Sequence, residues 1–237
     1  MSAHGVLTGV ATITRVAPRA SWFMLRAGGL VVHIDPHSPP GPHGDVYSLS
    51  PEAQEQADLV LVTHSDRELC QPPVMDSLLG PGTIVVAPQK CDQVIRADHL
   101  VATPGETVDL GGLTLEVVQA YTVPHSGLLE RVLHHRGEGV GYVLMLGGHR
   151  VYHAGATDFI PEMRGLGAID VAMLPIGGGF MLGADEAVEA AVAIGSKVVI
   201  PMHESDRDVA WFKREVEARS AVQVVLLEAG ESFSFEK

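Results

Sequence analysis

The sequence predicts an α/β protein in which apolar strands alternate with short helices. Two observations carry that prediction. Continuous apolar runs of strand length, residues 58–62 foremost, are the mark of strands buried on both faces. Between them lie segments with helix signals, such as Ser50-Pro51-Glu52 as a start and the apolar spacing of 185–194 before Gly195 as a stop. A third observation bears on function: several apolar runs end in histidine or acidic residues, which places polar groups at strand ends facing one cleft.

Taken in order, residues 6–16 mix apolar residues with Thr as a strand does, and 21–27 read as another. Gly28-Gly29 makes a tight turn, and Leu30-Val31-Val32-His33-Ile34 returns as a third strand, giving an antiparallel meander. Asp35-Pro36 ends it, and 37–44, rich in Pro and Gly, form a loop in which His37 and His43 read as exposed histidines before they read as cleft residues. A short helix from Ser50 to Ala57 leads into the strand at 58–62, and Pro72-Pro73 opens another helix ending near Gly80. Residues 83–87 are a buried strand and 88–97 read as helical. Residues 106–121 form a hairpin turning near Asp109-Leu110-Gly111-Gly112, and its second strand runs on to His125. Residues 140–146 pair with 150–153 across Gly147-Gly148, 169–174 form another apolar strand, and 185–194 a helix. The strand at 197–200 runs into Pro201-Met202-His203. A second amphipathic helix at 209–219 precedes closing strands at 222–227 and 232–235.

The 237 residues suit one domain, 1–237, with no linker composition to divide them. A chain of this length buries roughly 70–75% of its unfolded surface, so its core requires no disulfide or metal staple. Sixteen basic against 29 acidic residues give a net charge of −13, which repels phosphate backbones and argues against a nucleic-acid partner. No apolar run reaches the ~20 residues of a membrane span, and Met1-Ser2-Ala3-His4-Gly5 has no signal-peptide pattern. Two cysteines, Cys70 and Cys91, fit free thiols in a reducing cytoplasm. The expected partner is therefore a small molecule, without nucleic acid or membrane.

The segment His64-Ser65-Asp66-Arg67-Glu68 holds the most chemistry. A buried strand that delivers imidazole and carboxylates at its C-terminal end builds metal and acid–base sites, although a strand followed by a solvated turn has the same pattern. The rest of the chain adds weight to the first reading. Thr63-His64-x-Asp66-x-Glu68, Val123-Pro124-His125-Ser126, Tyr152-His153-Ala154-Gly155-Ala156-Thr157, Leu174-Pro175-Ile176-Gly177-Gly178 and Ile200-Pro201-Met202-His203 occur in this order. Together they resemble the successive motifs of the metallo-β-lactamase superfamily, in the branch of ascorbate-6-phosphate lactonase-like, metal-dependent hydrolases. The resemblance spans nearly the whole chain. It implies an αβ/βα four-layer sandwich with the site where the two sheets meet, and a branch that often forms homo-oligomers.

The ligand positions depart from the family pattern. His-x-His-x-Asp-His reads here as His64-Ser65-Asp66-Arg67-Glu68-Leu69, and Gly-Asp-Thr reads Gly155-Ala156-Thr157. His64, His125 and His203 are retained. By the resemblance, one metal site keeps His64 and His125 with Asp66 as a carboxylate, a set with open positions that suits catalytic zinc or iron. The other keeps Glu68 and His203 but loses Leu69 and Ala156. The expectation is thus a hydrolase of a small lactone, ester or phosphoester with one divalent metal, zinc first and iron or manganese as alternatives. Its metal ligands are His64, Asp66, His125 and His203, with Asp66, Glu68 and His203 in catalytic roles. Two other readings stand beside it: a metal-free enzyme using the His/Asp/Glu cluster for acid–base chemistry, and a non-catalytic ligand-binding relative.

The remaining features have structural readings. Gly177-Gly178-Gly179 lacks nucleotide-binding spacing and lets the backbone pass close to the cleft. Cys70 reads as a buried thiol before a ligand, and Asp158 as a neighbour of the site rather than a member. His134-His135-Arg136, with Arg131, lies in a loop that can serve as a lid, its charges solvated. His149 and His153 share a strand face without an evident third partner.

Overall fold

The computed structural model describes residues 10–37, 54–65, 72–95, 97–123, 134–179, 181–204 and 209–235. Its first strands, β1 (Ala11–Arg15), β2 (Phe23–Ala27) and β3 (Leu30–Ile34), form the expected antiparallel meander, with Phe23 opposite Ile34 and Ala27 opposite Leu30. After it come β4 (Leu59–Leu61), α1 (Pro72–Leu78), β5 (Ile84–Ala87) and β6 (Leu100–Val101), with β3 to β6 paired in parallel. The antiparallel hairpin β7 (Thr107–Asp109) and β8 (Thr114–Ala120) leads to β9 (Gly139–Leu146) and β10 (His149–His153), then β11 (Val171–Pro175). The chain continues through α2 (Ala184–Ile194), β12 (Val198–Met202), α3 (Val209–Arg219), β13 (Gln223–Val224) and β14 (Ser232–Phe235).

These strands make two sheets, ordered β14-β1-β2-β3-β4-β5-β6 and β13-β12-β11-β10-β9-β8-β7. The strand β4 shows why the apolar run at 58–62 is continuous. Leu59 and Leu61 point into the core between the sheets, while Val60 and Val62 point the other way into a second core with Met75 and Leu78 of α1. Strand alternation with apolar residues on both faces requires cover on both faces. On the far side, Ala187, Val188, Ala190 and Ala191 of α2 and Phe212 and Val216 of α3 are buried in the same core as β11 and β12. The outcome is helix, sheet, sheet, helix: the αβ/βα layering.

Some local expectations are corrected. Residues 54–57 carry no α-helix, and 50–53 lie outside the described residues. The helix read at 88–97 is a short 3-10 turn at Gln89–Gln93, closed by i→i+3 bonds from Cys91 N–H to Pro88 C=O and from Val94 N–H to Cys91 C=O. The strand β6 was not foreseen; it is two exposed residues long, too short for any periodicity to show. The helix α2 stops as expected, with Gly195 left-handed at φ 62° and its N–H on the Ala191 carbonyl.

The sheets are tied together where the site lies. Tyr142 Oη donates to the Val62 carbonyl at 2.7 Å, and Val140 N–H donates to the Thr63 carbonyl at 2.8 Å. Gly155, at φ 67°, passes so close that a Cβ there would stand 2.8 Å from the Val140 carbonyl oxygen and 3.0 Å from Thr63 Cβ. Among the described residues no helix is long and apolar enough to cross a membrane.

Candidate functional site

Four strands deliver polar residues at one edge of the two sheets: β3 leads to Asp35 and His37, β4 to Thr63 and His64, β10 ends at His153, and β12 leads to His203. This is the side-chain supply expected beyond the carboxyl ends of parallel strands. Asp35 and His203 both leave their strands in the left-handed region, at φ 51° and 53°, each at a cost of about 1–2 kcal/mol for a residue with a Cβ. That turn redirects the chain out of the sheet at the edge of the cleft. Gly177 makes room for it, since a Cβ there would meet the His203 carbonyl oxygen at 2.2 Å. The reading of Gly177-Gly178-Gly179 as a close-passing backbone agrees with this contact.

Five imidazoles gather here. His64 and His134 meet edge to face with ring centres 4.8 Å apart, and His37 stacks on His203 at 6.4 Å. His37, His64, His134, His153 and His203 are all buried or nearly so. Burial, reinforced by the neighbouring imidazoles of His134, His203, His37 and His153, holds the His64 pKa well below the ordinary histidine value. Burial lowers His203 to about 3 and His153 to about 4, and it lowers His37 as well. At neutral pH these rings are neutral, with one nitrogen protonated and one presenting a lone pair.

Which nitrogen is which follows from the groups behind the rings. The Asp35 carboxylate accepts from Thr63 N–H at 2.7 Å and from the Thr63 hydroxyl at 2.7 Å. Having spent its hydrogen on Asp35, Thr63 Oγ1 accepts from His64 Nδ1 at 2.7 Å, which leaves Nε2 as the lone-pair nitrogen. His37 Nδ1 lies 2.8 Å from the Asp35 backbone carbonyl, which can only accept, so Nε2 is again the basic nitrogen. The Arg19 carbonyl accepts from His203, whose Nε2 is buried and makes no hydrogen bond. His153 differs. Its Nε2 lies 3.0 Å from the Ser21 carbonyl and its Nδ1 accepts Gly155 N–H at 3.2 Å, so both nitrogens are occupied, the first in tying one sheet to the other and the second locally. Burial raises the Asp35 pKa to about 6 against the Thr63 hydrogen bonds, so at neutral pH Asp35 is mainly ionised.

His64 and His203 both lie at this edge of the sheets, whereas Asp66, Glu68 and His125 lie outside the described residues, as do His43, Leu69, Cys70 and Arg131. Among the described residues no three His, Cys, Asp or Glu side chains stand close enough together to hold a metal ion. Asp158 is 1% exposed, and its Oδ2 accepts Val123 N–H at 2.7 Å, bracing the chain just beyond β8. One residue is misplaced by sequence reasoning and another is not singled out by it. His37, read as an exposed loop histidine, is 3% exposed, and His134, read only as part of a loop that can serve as a lid, is 6% exposed. Thr122 N–H bonds to the His134 carbonyl at 3.0 Å, and Arg136 lies over the Tyr121 ring and pairs with Glu162 at 2.6 Å, which pins that turn beside His64. The proximity of His37 to Asp35-Pro36 was the available signal; nothing local marked His134.

Comparison with known proteins agrees with this architecture. Residues 18–203 match the family model described as "Beta-lactamase superfamily domain". A "UPF0173 metal-dependent hydrolase" of Methanoculleus marisnigri is 33% identical over 219 residues, covering 87% of this chain and 90% of that protein. Its namesake from Aeropyrum pernix is 32% identical over 243 residues, covering 90% and 94%. Among solved structures, Igni18, a metallo hydrolase from Ignicoccus hospitalis, superposes with a TM-score of 0.74 at 24% identity over 97% of this chain and 100% of that one. The metallo-beta-lactamase fold protein YhfI from Bacillus subtilis superposes at 0.70 with 10% identity, over 95% and 99%. The paired sheets are the metallo-β-lactamase fold, and the chain belongs to the beta-lactamase superfamily domain family.

Proposed function

We propose that the protein is a metal-dependent hydrolase of a small lactone, ester or phosphoester, working with one divalent metal, zinc first. The supporting observation is the pair His64 and His203. Each is a buried neutral imidazole fixed from behind by a hydrogen bond to one nitrogen, and the other nitrogen is basic. Metal-binding histidines are characteristically held this way by second partners. The unpartnered buried Nε2 of His203 is costly unless something binds it; the described residues alone hold no metal-ligand set, and Asp66 and His125 would complete one on the sequence motifs. The relatives named metal-dependent hydrolases support the same reading.

In this reading His64 and His203 are metal ligands, joined by Asp66 and His125 on the sequence motifs. These residues would hold a divalent metal, which would supply polarisation of a carbonyl or phosphoryl oxygen and a bound water of pKa about 7. The chain's own residues do the rest. Thr63 and Asp35 lock the His64 tautomer, and the surrounding apolar strands keep bulk water from its back. Asp66 or Glu68 orients the attacking water and takes its proton, and His203 contributes on the opposite sheet. The net charge of −13 favours a small substrate over a polyanion.

The experiment is a chelation-and-rescue assay on lactone, ester and phosphoester panels. Turnover lost on chelation and restored by zinc, and absent from Asp66→Ala, is the expected result. Activity that survives exhaustive chelation would instead favour metal-free acid–base chemistry by the same cluster.

A further inference from the structure

We propose that Arg15 is a positioning residue for His203: from the first sheet it grips both the residue that follows His203 and the loop whose carbonyl holds the His203 ring. The inference rests on the reading of His203 as a metal ligand and adds a residue that no ligand motif contains. Arg15 ends β1 and is 5% exposed. A guanidinium stays charged, so burying it is costly unless its donors are matched. Here they point three ways. Nη2 donates to Glu204 Oε1 at 2.5 Å, Nε to the Ala17 carbonyl at 3.2 Å and Nη1 to the Leu227 carbonyl at 3.0 Å. The Arg15 backbone is fixed as well, its N–H donating to the Glu231 carbonyl and its carbonyl accepting from Gly230 N–H.

Two of these contacts converge on His203. A residue with a Cβ persists in the left-handed region only where its surroundings over-determine it, and His203 is at φ 53°. On its N-terminal side the Met202 carbonyl accepts from Ile176 N–H at 3.0 Å. On its C-terminal side the restraint is Glu204, whose carboxylate meets Arg15 of the other sheet. Glu204 Oε2 is buried and has no hydrogen-bond partner among the described residues, so the grip on this carboxylate is Arg15. The Ala17 contact fixes the ring. Arg19, itself left-handed at φ 54°, presents the carbonyl that accepts from His203, and it lies two residues beyond Ala17. Val16 N–H closes the same loop on the Trp22 carbonyl at 3.0 Å. Because His203 Nε2 makes no hydrogen bond, the nitrogen on Arg19 is Nδ1, and the ring is the Nδ1–H tautomer with a bare Nε2. One cation thus supports both the turn at His203 and the nitrogen that it presents. Its removal leaves a buried carboxylate uncompensated next in the chain, which is strongly unfavourable.

The test is nitrogen-15 spectroscopy of the histidine rings in the full chain stripped of metal, with zinc affinity by chelator competition as a second readout. In wild type, His203 should show a protonated Nδ1 and a bare Nε2. Arg15→Met should turn this into a mixture of the two tautomers and weaken zinc binding about 10–100-fold. The His149 ring, packed on Phe235 of β14 at 4.7 Å, should keep its wild-type signals. Glu204→Ala should act in the same direction as Arg15→Met, whereas Glu204→Gln, which retains an oxygen for Arg15, should keep the wild-type ring. An Arg15→Met protein with wild-type His203 signals overturns the proposal. So does one in which His149 shifts equally, since Arg15 would then hold only the fold. Should Arg15→Met fail to fold, Glu204→Ala decides, and an unmoved His203 overturns the proposal. A wild type that binds no zinc removes the metal-dependent reading, while the ring signals still decide the role of Arg15.

Discussion

Thr63 carries more of the site than its type suggests. Its hydroxyl donates to a buried carboxylate and accepts from the His64 ring, so one oxygen sets both the charge support and the tautomer. Thr63→Val keeps the shape and removes both bonds. The expected result is a loss of about 1–3 kcal/mol in urea unfolding, from a buried acceptor deprived of a donor, with metal affinity reduced about 10–100-fold. Thr63→Ser should restore most of both, and unaltered metal affinity in Thr63→Val would show that the hydroxyl does not orient His64. Gly177 and Gly179 separate two reasons for glycine. At Gly177 an added Cβ meets the His203 carbonyl at 2.2 Å, whereas at Gly179, with φ 79°, it meets nothing within 4 Å. Gly179→Ala should cost about 1–2 kcal/mol of backbone strain, and Gly177→Ala should additionally displace His203 and lower metal affinity. Equal metal affinity in the two variants would contradict the close-approach argument.

At the scale of elements, α3 illustrates how little of a surface helix is anchored. Among its residues Phe212 and Val216 are the buried ones, and Phe212 is fully enclosed. Phe212→Ala should cost about 3–5 kcal/mol, read from chemical unfolding; a cost under about 1 kcal/mol would mean that α3 contributes little to the core. Elements of this kind were legible in the sequence because their burial is periodic. The helix at 209–219 has its observed bounds, and β4, β11 and β12 announce themselves as apolar runs because both faces of each are covered. Legibility fails where placement depends on distant partners. His37 lies in a Pro- and Gly-rich context that reads as exposed loop, and only the closing of the second sheet brings His203 over it. His134 is buried because Thr122 holds its backbone and Arg136 fastens to Tyr121 and Glu162, contacts with no local pattern. The strand ends bearing His64 and His203 were readable since a polar residue after a buried strand is a local signal.

For the molecule as a whole, a cluster of buried neutral histidines makes stability depend on pH. His33 and His153 are lowered to about 4 and His203 to about 3, and His37 and His64 are lowered too, chiefly by burial. Unfolded histidine titrates near 6.5, so below that pH the unfolded chain binds protons that the folded chain refuses. Stability is therefore full above about pH 6.5 and falls as pH drops toward 4. Each ring kept neutral contributes about 1.4 kcal/mol per pH unit. Asp35, raised to about 6, acts in the opposite sense, binding a proton more readily when folded, but it is one group against five. The melting temperature of chelated protein should drop steeply between pH 6.5 and 5, and a flat profile there would mean that these rings are protonated in the folded state. The proposed metal site depends on the same buried, oriented nitrogens, and metal content tests that proposal most directly. Plasma mass spectrometry would be run on protein purified without added metal or a histidine tag, with melting curves before and after chelation. The account predicts about one zinc, iron or manganese per chain and a lower melting temperature once it is removed; no bound metal and no shift on chelation would contradict it.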